Sequence, residues 1–219
     1  KYNDNVFLVT NENLKELLDI DERIISKVRN GSIGYANFSD IIRNSLLAKY
    51  SGLWLDATVW VSGEISFDKL DEMPIYSANS KEFVDGKTVR FWSSYEWNWS
   101  SWCLWARKPE NPFFVFVSKM LQSIAINEMT WPDYVIQDYL YFYACRKSSL
   151  IQKWMNQINL HNPNKDQLAL LMANEFDAAE YSRLIENEVF FKLRYRKKWP
   201  TKTASGKDTF YGQILRSTI

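Results

Sequence analysis

Apolar and polar positions trade places along this chain at two different periods. Residues 5–10, Asn-Val-Phe-Leu-Val-Thr, form a short continuous apolar run of the kind that fills a buried strand. Leu14, Leu17 and Leu18 follow with Thr10 or Asn11 placed to cap them, so a strand leading into a helix is predicted at the front. A second helix is predicted over 21–30, stopping at Gly31. The clearest one spans 39–50, where Ile42, Leu46, Leu47 and Tyr50 recur at helical spacing, Ser39 stands at the cap and Gly52 just past the end. Leu53-Trp54-Leu55 then reads as a short strand running into Asp56.

Residues 74–107 turn β-like, with strands predicted at 75–77, 88–92 and 102–106. Helical patterns take over at 112–127, 130–145 and 150–158, and more weakly at 167–174 and 178–185, before a last strand at 189–193. No repeat and no low-complexity linker interrupts them. Strands alternating with helices early, and helices dominating late, predict one α/β domain over 1–219 with a mainly parallel sheet, flanking helices and a helix-rich C-terminal half.

Composition narrows the class. A hydrophobic fraction of 46% excludes a disordered chain, and 219 residues can bury a core without disulfide staples. The two cysteines, Cys103 and Cys145, are too few for a disulfide framework and lack metal-ligand spacing. The apolar runs are too short to span a bilayer, and no basic-then-apolar signal opens the chain, so a soluble, cytoplasmic protein is expected. Five of the ten Trp (92, 97, 99, 102 and 105) crowd into one segment.

The net charge of +1 hides a separation. Lys192, Arg194, Arg196, Lys197, Lys198, Lys202 and Lys207 form a basic run with no acid among them; without these seven, 20 bases face 26 acids. The body is therefore −6 and the tail, 192–219, begins with +7, a pattern that suits an anionic partner or a tail folded onto the acidic body.

Candidate chemistry concentrates in residues 38–59. Asp40 and Arg43 lie three apart, on one helix face at its predicted N-terminal end, where free backbone N–H groups favour anions. Asp56 ends a short apolar strand, the position where ligands gather in open α/β sheets.

The run Ser39-Asp40-x-x-Arg43, then Leu47-x-x-Tyr50-x-Gly52-x-Trp54-Leu55-Asp56-x-Thr58, resembles the signature of capsular polysaccharide synthesis proteins, relatives of the glycosyltransferases with a DXD sugar-binding region. Weaker similarity lies in the opening run from Val6 to Leu14, in Asp133-Tyr134 followed by Asp138, and in Lys192-Leu193. The resemblance implies a GT-A-like (Rossmann-like) fold, a nucleotide-sugar donor such as a UDP-hexose, and transfer to a growing capsular or cell-surface glycan with retention of configuration. It also implies roles. Asp40 and Arg43, with Ser39 and Tyr50, would hold the donor; Asp56 and Thr58 would bind Mn²⁺ or Mg²⁺ against its diphosphate.

The sequence departs from the family pattern in three places. The DXD slot reads Asp56-Ala57-Thr58, without its second carboxylate, and Ser51 replaces the first Gly of the turn. The opening run matches the family's second strand, so a first strand is expected ahead of Lys1.

The remaining candidates are peripheral to that motif. Trp97 and Trp99 offer flat faces for an acceptor sugar, and Asp133 and Asp138 offer acceptor-side carboxylates, Asp138 as a base. Lys192 and Lys207 are placed to reach a diphosphate, and the tail as a whole could meet anionic lipid at the inner face of the membrane around a lipid-linked acceptor. The aromatics and the basic tail are far apart in sequence, which argues against nucleic acid. His161 sits in a polar loop without a partner ligand nearby. The missing carboxylate motivates a second reading, a glycan-binding or regulatory protein on a degenerate glycosyltransferase scaffold; the tail motivates a third, a surface adaptor.

Overall fold

The computed structural model describes residues 6–79, 83–84, 87–88, 99–158, 162–194 and 196–218. They form two compact units interleaved in sequence: one from residues 1–54, 67–77 and 90–159, the other from 55–66, 78–89 and 160–219.

In the first unit, helices α1 (Leu14–Leu17), α2 (Glu22–Arg29) and α3 (Tyr35–Tyr50) lead into β1 (Gly52–Leu55). Asp21 caps α2, its carboxylate accepting from the Arg23 N–H. The turn from α3 into β1 needs left-handed backbone, with φ of 63° at Ser51 and 93° at Gly52. Ser51, where the family pattern has glycine, therefore carries the strain that a glycine would not. Helix α5 (Pro112–Asn127) starts where the Asn111 side chain accepts from the Phe113 N–H and Pro112 takes the first turn. Its Phe113, Phe114, Val117, Leu121 and Ala125 are buried on one face. They share a core with Phe38, Ile41 and Leu47 of α3 and with Leu140, Tyr141 and Ala144 of α6 (Ile136–Lys147). Helix α7 (Ser149–Asn156) adds Ile151 and Met155, and a short α4 (Phe67–Asp71) precedes the sheet strand β3 (Ile75–Ser77).

The sheet of this unit has three strands in the order β1, β6 (Cys103–Ala106), β3. Strands β3 and β6 run antiparallel, Tyr76 opposite Trp105. In the second unit, β2 (Val59–Val61) pairs antiparallel with β7 (Phe190–Lys192), and β4 (Phe83–Val84) with β5 (Lys87–Thr88). Its core is Leu168 and Met172 from around α8 (Gln167–Leu171), Leu184 of α9 (Ala178–Ile185), Phe191, and Phe210 and Ile214 of α10 (Phe210–Thr218).

The mainly parallel, GT-A-like sheet expected from the sequence is not what forms. The chain is helix-rich, with small antiparallel sheets. The physical reason lies in burial. Strands β3 and β6 are buried at every residue, so they read as unbroken apolar runs. That signature follows from cover on both faces, which helices can supply to a small antiparallel sheet as readily as to a parallel one. The opening strand is also absent: residues 6–10 join no ladder, and Val6, Phe7 and Leu8 are exposed. Residues 89–98, over which the strand predicted at 88–92 would extend, lie outside the described residues.

Candidate functional site

Helix α3 begins a full turn earlier than its sequence suggested, at Tyr35 with Gly34 as its cap. Ser39 and Asp40 are therefore mid-helix, and the expectation that free helix-end N–H groups surround Asp40 does not hold. Apolar Phe38 and Ile41, both buried, carry the helix through Ser39, which in isolation reads as a cap. The three-residue spacing still matters: the Arg43 guanidinium lies 3.4 Å from the Asp40 carboxylate, with both side chains buried.

Arg43 is held from several sides. Nη2 donates to the Ser39 hydroxyl (2.8 Å), Nε to the Ser39 carbonyl (3.2 Å) and Nη1 to the Ser101 carbonyl (2.9 Å). The Trp54 ring centroid is 5.7 Å from the guanidinium carbon. A planar, multi-donor cation suits such a fork, and lysine could not reproduce it.

One turn along, Asn44 donates to the Asp40 carbonyl (2.8 Å) and to the Gln137 side-chain oxygen (2.7 Å), and accepts from the Tyr141 hydroxyl (3.1 Å). These bonds tie α3 to α6. On α6 the carboxyl of Asp138, half-buried beside this network, is pushed up to about 6 by burial, with the positive charge of Arg43 pulling the other way. Burial pushes the Tyr141 hydroxyl well above its ordinary range. The first unit thus holds a fixed ion pair and, in its electrostatic field, a carboxyl able to exchange a proton close to neutrality.

The second cluster belongs to the other unit. The β2–β7 ladder sets Val59 opposite Lys192, the Leu193 N–H donates to the Thr58 carbonyl (2.9 Å), and the Asp56 carbonyl accepts from the Val59 N–H (3.0 Å). Lys192 Nζ then donates to both Asp56 Oδ2 and Thr58 Oγ1, each at 2.8 Å. A Mn²⁺ or Mg²⁺ ion does not fit these residues as they stand. Such an ion asks for several oxygen ligands, and here an ammonium sits between the Asp56 carboxylate and the Thr58 hydroxyl. Among the described residues no group of three His, Cys, Asp or Glu could hold a metal ion.

The other expected residues fall elsewhere. Tyr50 is exposed, and its hydroxyl donates to the Leu17 carbonyl. Trp99 packs on Phe113 and Tyr141, with centroids 5.4 and 5.2 Å away, as part of the first core. Helix α6 starts at Ile136 rather than 130, which leaves Asp133 exposed in the preceding turn, accepting from the Val135 N–H. Lys207 pairs with Glu175 at the surface, 2.6 Å apart. Trp97 and His161 lie outside the described residues.

Sequence reasoning missed Asn44, Gln137 and Tyr141. A signal was available: Gln137 and Tyr141 are four apart, as are Asp40 and Asn44, so each pair shares a helix face. It also missed Glu188, which is buried ahead of β7, accepts from Asn162 Nδ2 (2.8 Å) and is pushed up to about 7 by burial.

The sequence model of the capsular polysaccharide synthesis protein family matches residues 1–214. The chain belongs to that family. No curated protein and no solved structure matches it. No helix among the described residues of this family member is long and apolar enough to cross a membrane.

Proposed function

We propose that this capsular polysaccharide synthesis protein is a glycosyltransferase that moves a sugar, a hexose from a UDP donor, onto a growing capsular glycan. The observation that carries the reading is the buried Asp40–Arg43 pair with the Asp138 carboxyl beside it. A buried ion pair is weak as a stabilising device, so its presence beside the buried Asn44–Gln137 network points to a task. Carboxylates and a planar guanidinium are suited to sugar hydroxyls.

In the reaction the acceptor oxygen bonds to the sugar's anomeric carbon. The bond from that carbon to the diphosphate breaks, its electron pair leaving with the nucleoside diphosphate. The acceptor's proton passes to the Asp138 carboxylate, which is ionised above about pH 6. Retention of configuration is the outcome that the family resemblance implies.

The test is release of sugar from a panel of UDP- and GDP-sugars, with Asp40→Asn, Arg43→Lys and Asp138→Asn beside the unmodified protein. Loss of turnover in all three is expected, with each variant still unfolding in a single cooperative transition. Binding of capsular glycan with turnover of no donor would instead favour a glycan-binding or regulatory protein.

A further inference from the structure

We propose that Lys192 supplies the positive charge for the donor's diphosphate in this chain, in the place where a divalent cation would otherwise stand. The inference rests on reading the protein as a nucleotide-sugar enzyme.

Three observations converge on it. The Lys192 ammonium bridges Asp56 Oδ2 and Thr58 Oγ1 at 2.8 Å each, the two side chains that a metal would have to share. The bridge is built into the backbone: the β2–β7 register, the Leu193 N–H to the Thr58 carbonyl and the Lys192 N–H to the Lys165 carbonyl (2.7 Å) fix both ends. Finally, the side chains of Lys192 and Asp56 are only 24% and 26% exposed, enough to meet a ligand and little enough to keep their interaction from being screened away.

A divalent ion entering here would meet a fixed ammonium of like charge and, among the described residues, no group of three acidic, histidine or cysteine ligands, against the several oxygens it needs. A phosphate oxygen, by contrast, meets a lysine already oriented by two acceptors. Lysine binds phosphate as a compact point charge, and the carboxylate beside it holds the ammonium in place. The Asp-Ala-Thr sequence thus reads as half of a lysine-binding site rather than a damaged metal site.

The test is calorimetric titration of the intact protein with inorganic pyrophosphate and with UDP, in EDTA and again in millimolar Mn²⁺. The inference expects both to bind in EDTA, with affinity changed less than about threefold by Mn²⁺, and Mn²⁺ alone to show no saturable binding. Lys192→Met should weaken both ligands about tenfold or more, the usual worth of a charge-assisted hydrogen bond, while Lys192→Arg stays within a few-fold. A melting scan separates loss of charge from loss of fold, and the EDTA comparison on the unmodified protein needs no variant.

Binding that appears only with Mn²⁺ would overturn the inference and leave the glycosyltransferase reading standing. Metal-independent binding without sugar transfer to any acceptor would do the reverse. No binding in either buffer would sink both.

Discussion

Replacing Asp138 by Asn separates a carboxyl kept for chemistry from one kept for stability. Burial lifts this carboxyl from 3.8 to about 6. Two units at about 1.4 kcal/mol each make the ionised form cost the folded state roughly 3 kcal/mol. The folded protein binds this proton more tightly than the unfolded chain does. Stability from this group is therefore highest below about pH 4, falls as the pH rises toward 6, and the full penalty stands above about pH 6.5. Asp138→Asn removes the charge and so the penalty. Urea unfolding followed by Trp fluorescence should show the variant more stable by about 2–3 kcal/mol at pH 7.5. That advantage should shrink by about 2 kcal/mol at pH 4.5, because both proteins are then close to neutral at this position. Sugar transfer should be lost at both pH values, giving a more stable protein with less activity. An advantage that is the same at both pH values, or a loss of stability at pH 7.5, would refute the reasoning.

Arg43→Met strands the buried Asp40 carboxylate and is expected to cost about 3–5 kcal/mol in the same unfolding assay. Adding Asp40→Asn should recover part of that loss, and simple additivity would count against the pair. In α10, an alanine at Gly212 would bring its Cβ to the Thr201 carbonyl oxygen. The helix preference of alanine, about 1 kcal/mol, loses to a backbone clash of that kind. Gly212→Ala should therefore destabilise by more than about 2 kcal/mol, whereas Gly63→Ala, with open space around it, should stay within about 0.5 kcal/mol.

Much of the local structure was legible. Helices α5 and α9 have the bounds their periodicity predicted, and the strands at 75–77 and 102–106 are present. Those elements declare themselves through a cap, a proline or a face pattern within one segment. What the sequence hid was pairing. Nothing within Leu53-Trp54-Leu55 or Cys103-Leu104-Trp105 says whether a neighbour runs with or against it, and a strand buried on both faces erases the alternation that would. Helix α10 went unread because its anchor, Phe210 in the second core, follows a segment whose dominant signal is charge. In the candidate site, the Asp40–Arg43 contact followed from spacing alone. Its tie to α6 through Asn44 and Gln137 is 93 residues long-range and had no local trace.

The charge separation changes meaning once the ion pairs are counted. Of the seven tail cations, Lys192 meets Asp56, Lys202 meets Asp208 and Lys207 meets Glu175. The three acids belong to the same unit, so much of the basic run answers the acidic body instead of advertising itself to a partner. Asp208 serves twice, since Arg216 also pairs with it. What an anionic surface meets then includes the exposed Arg194, Lys197 and Lys198. At about 1 kcal/mol per cation near an anionic bilayer, these three give roughly 3 kcal/mol where all seven would have given about 7. Binding to vesicles rich in phosphatidylserine should accordingly be weak and lost at high salt. It should fall steeply when those three are neutralised together, and remain when Lys202 and Lys207 are replaced. Equal losses from both sets would mean that the surface pairs open on contact and the whole run acts as one patch.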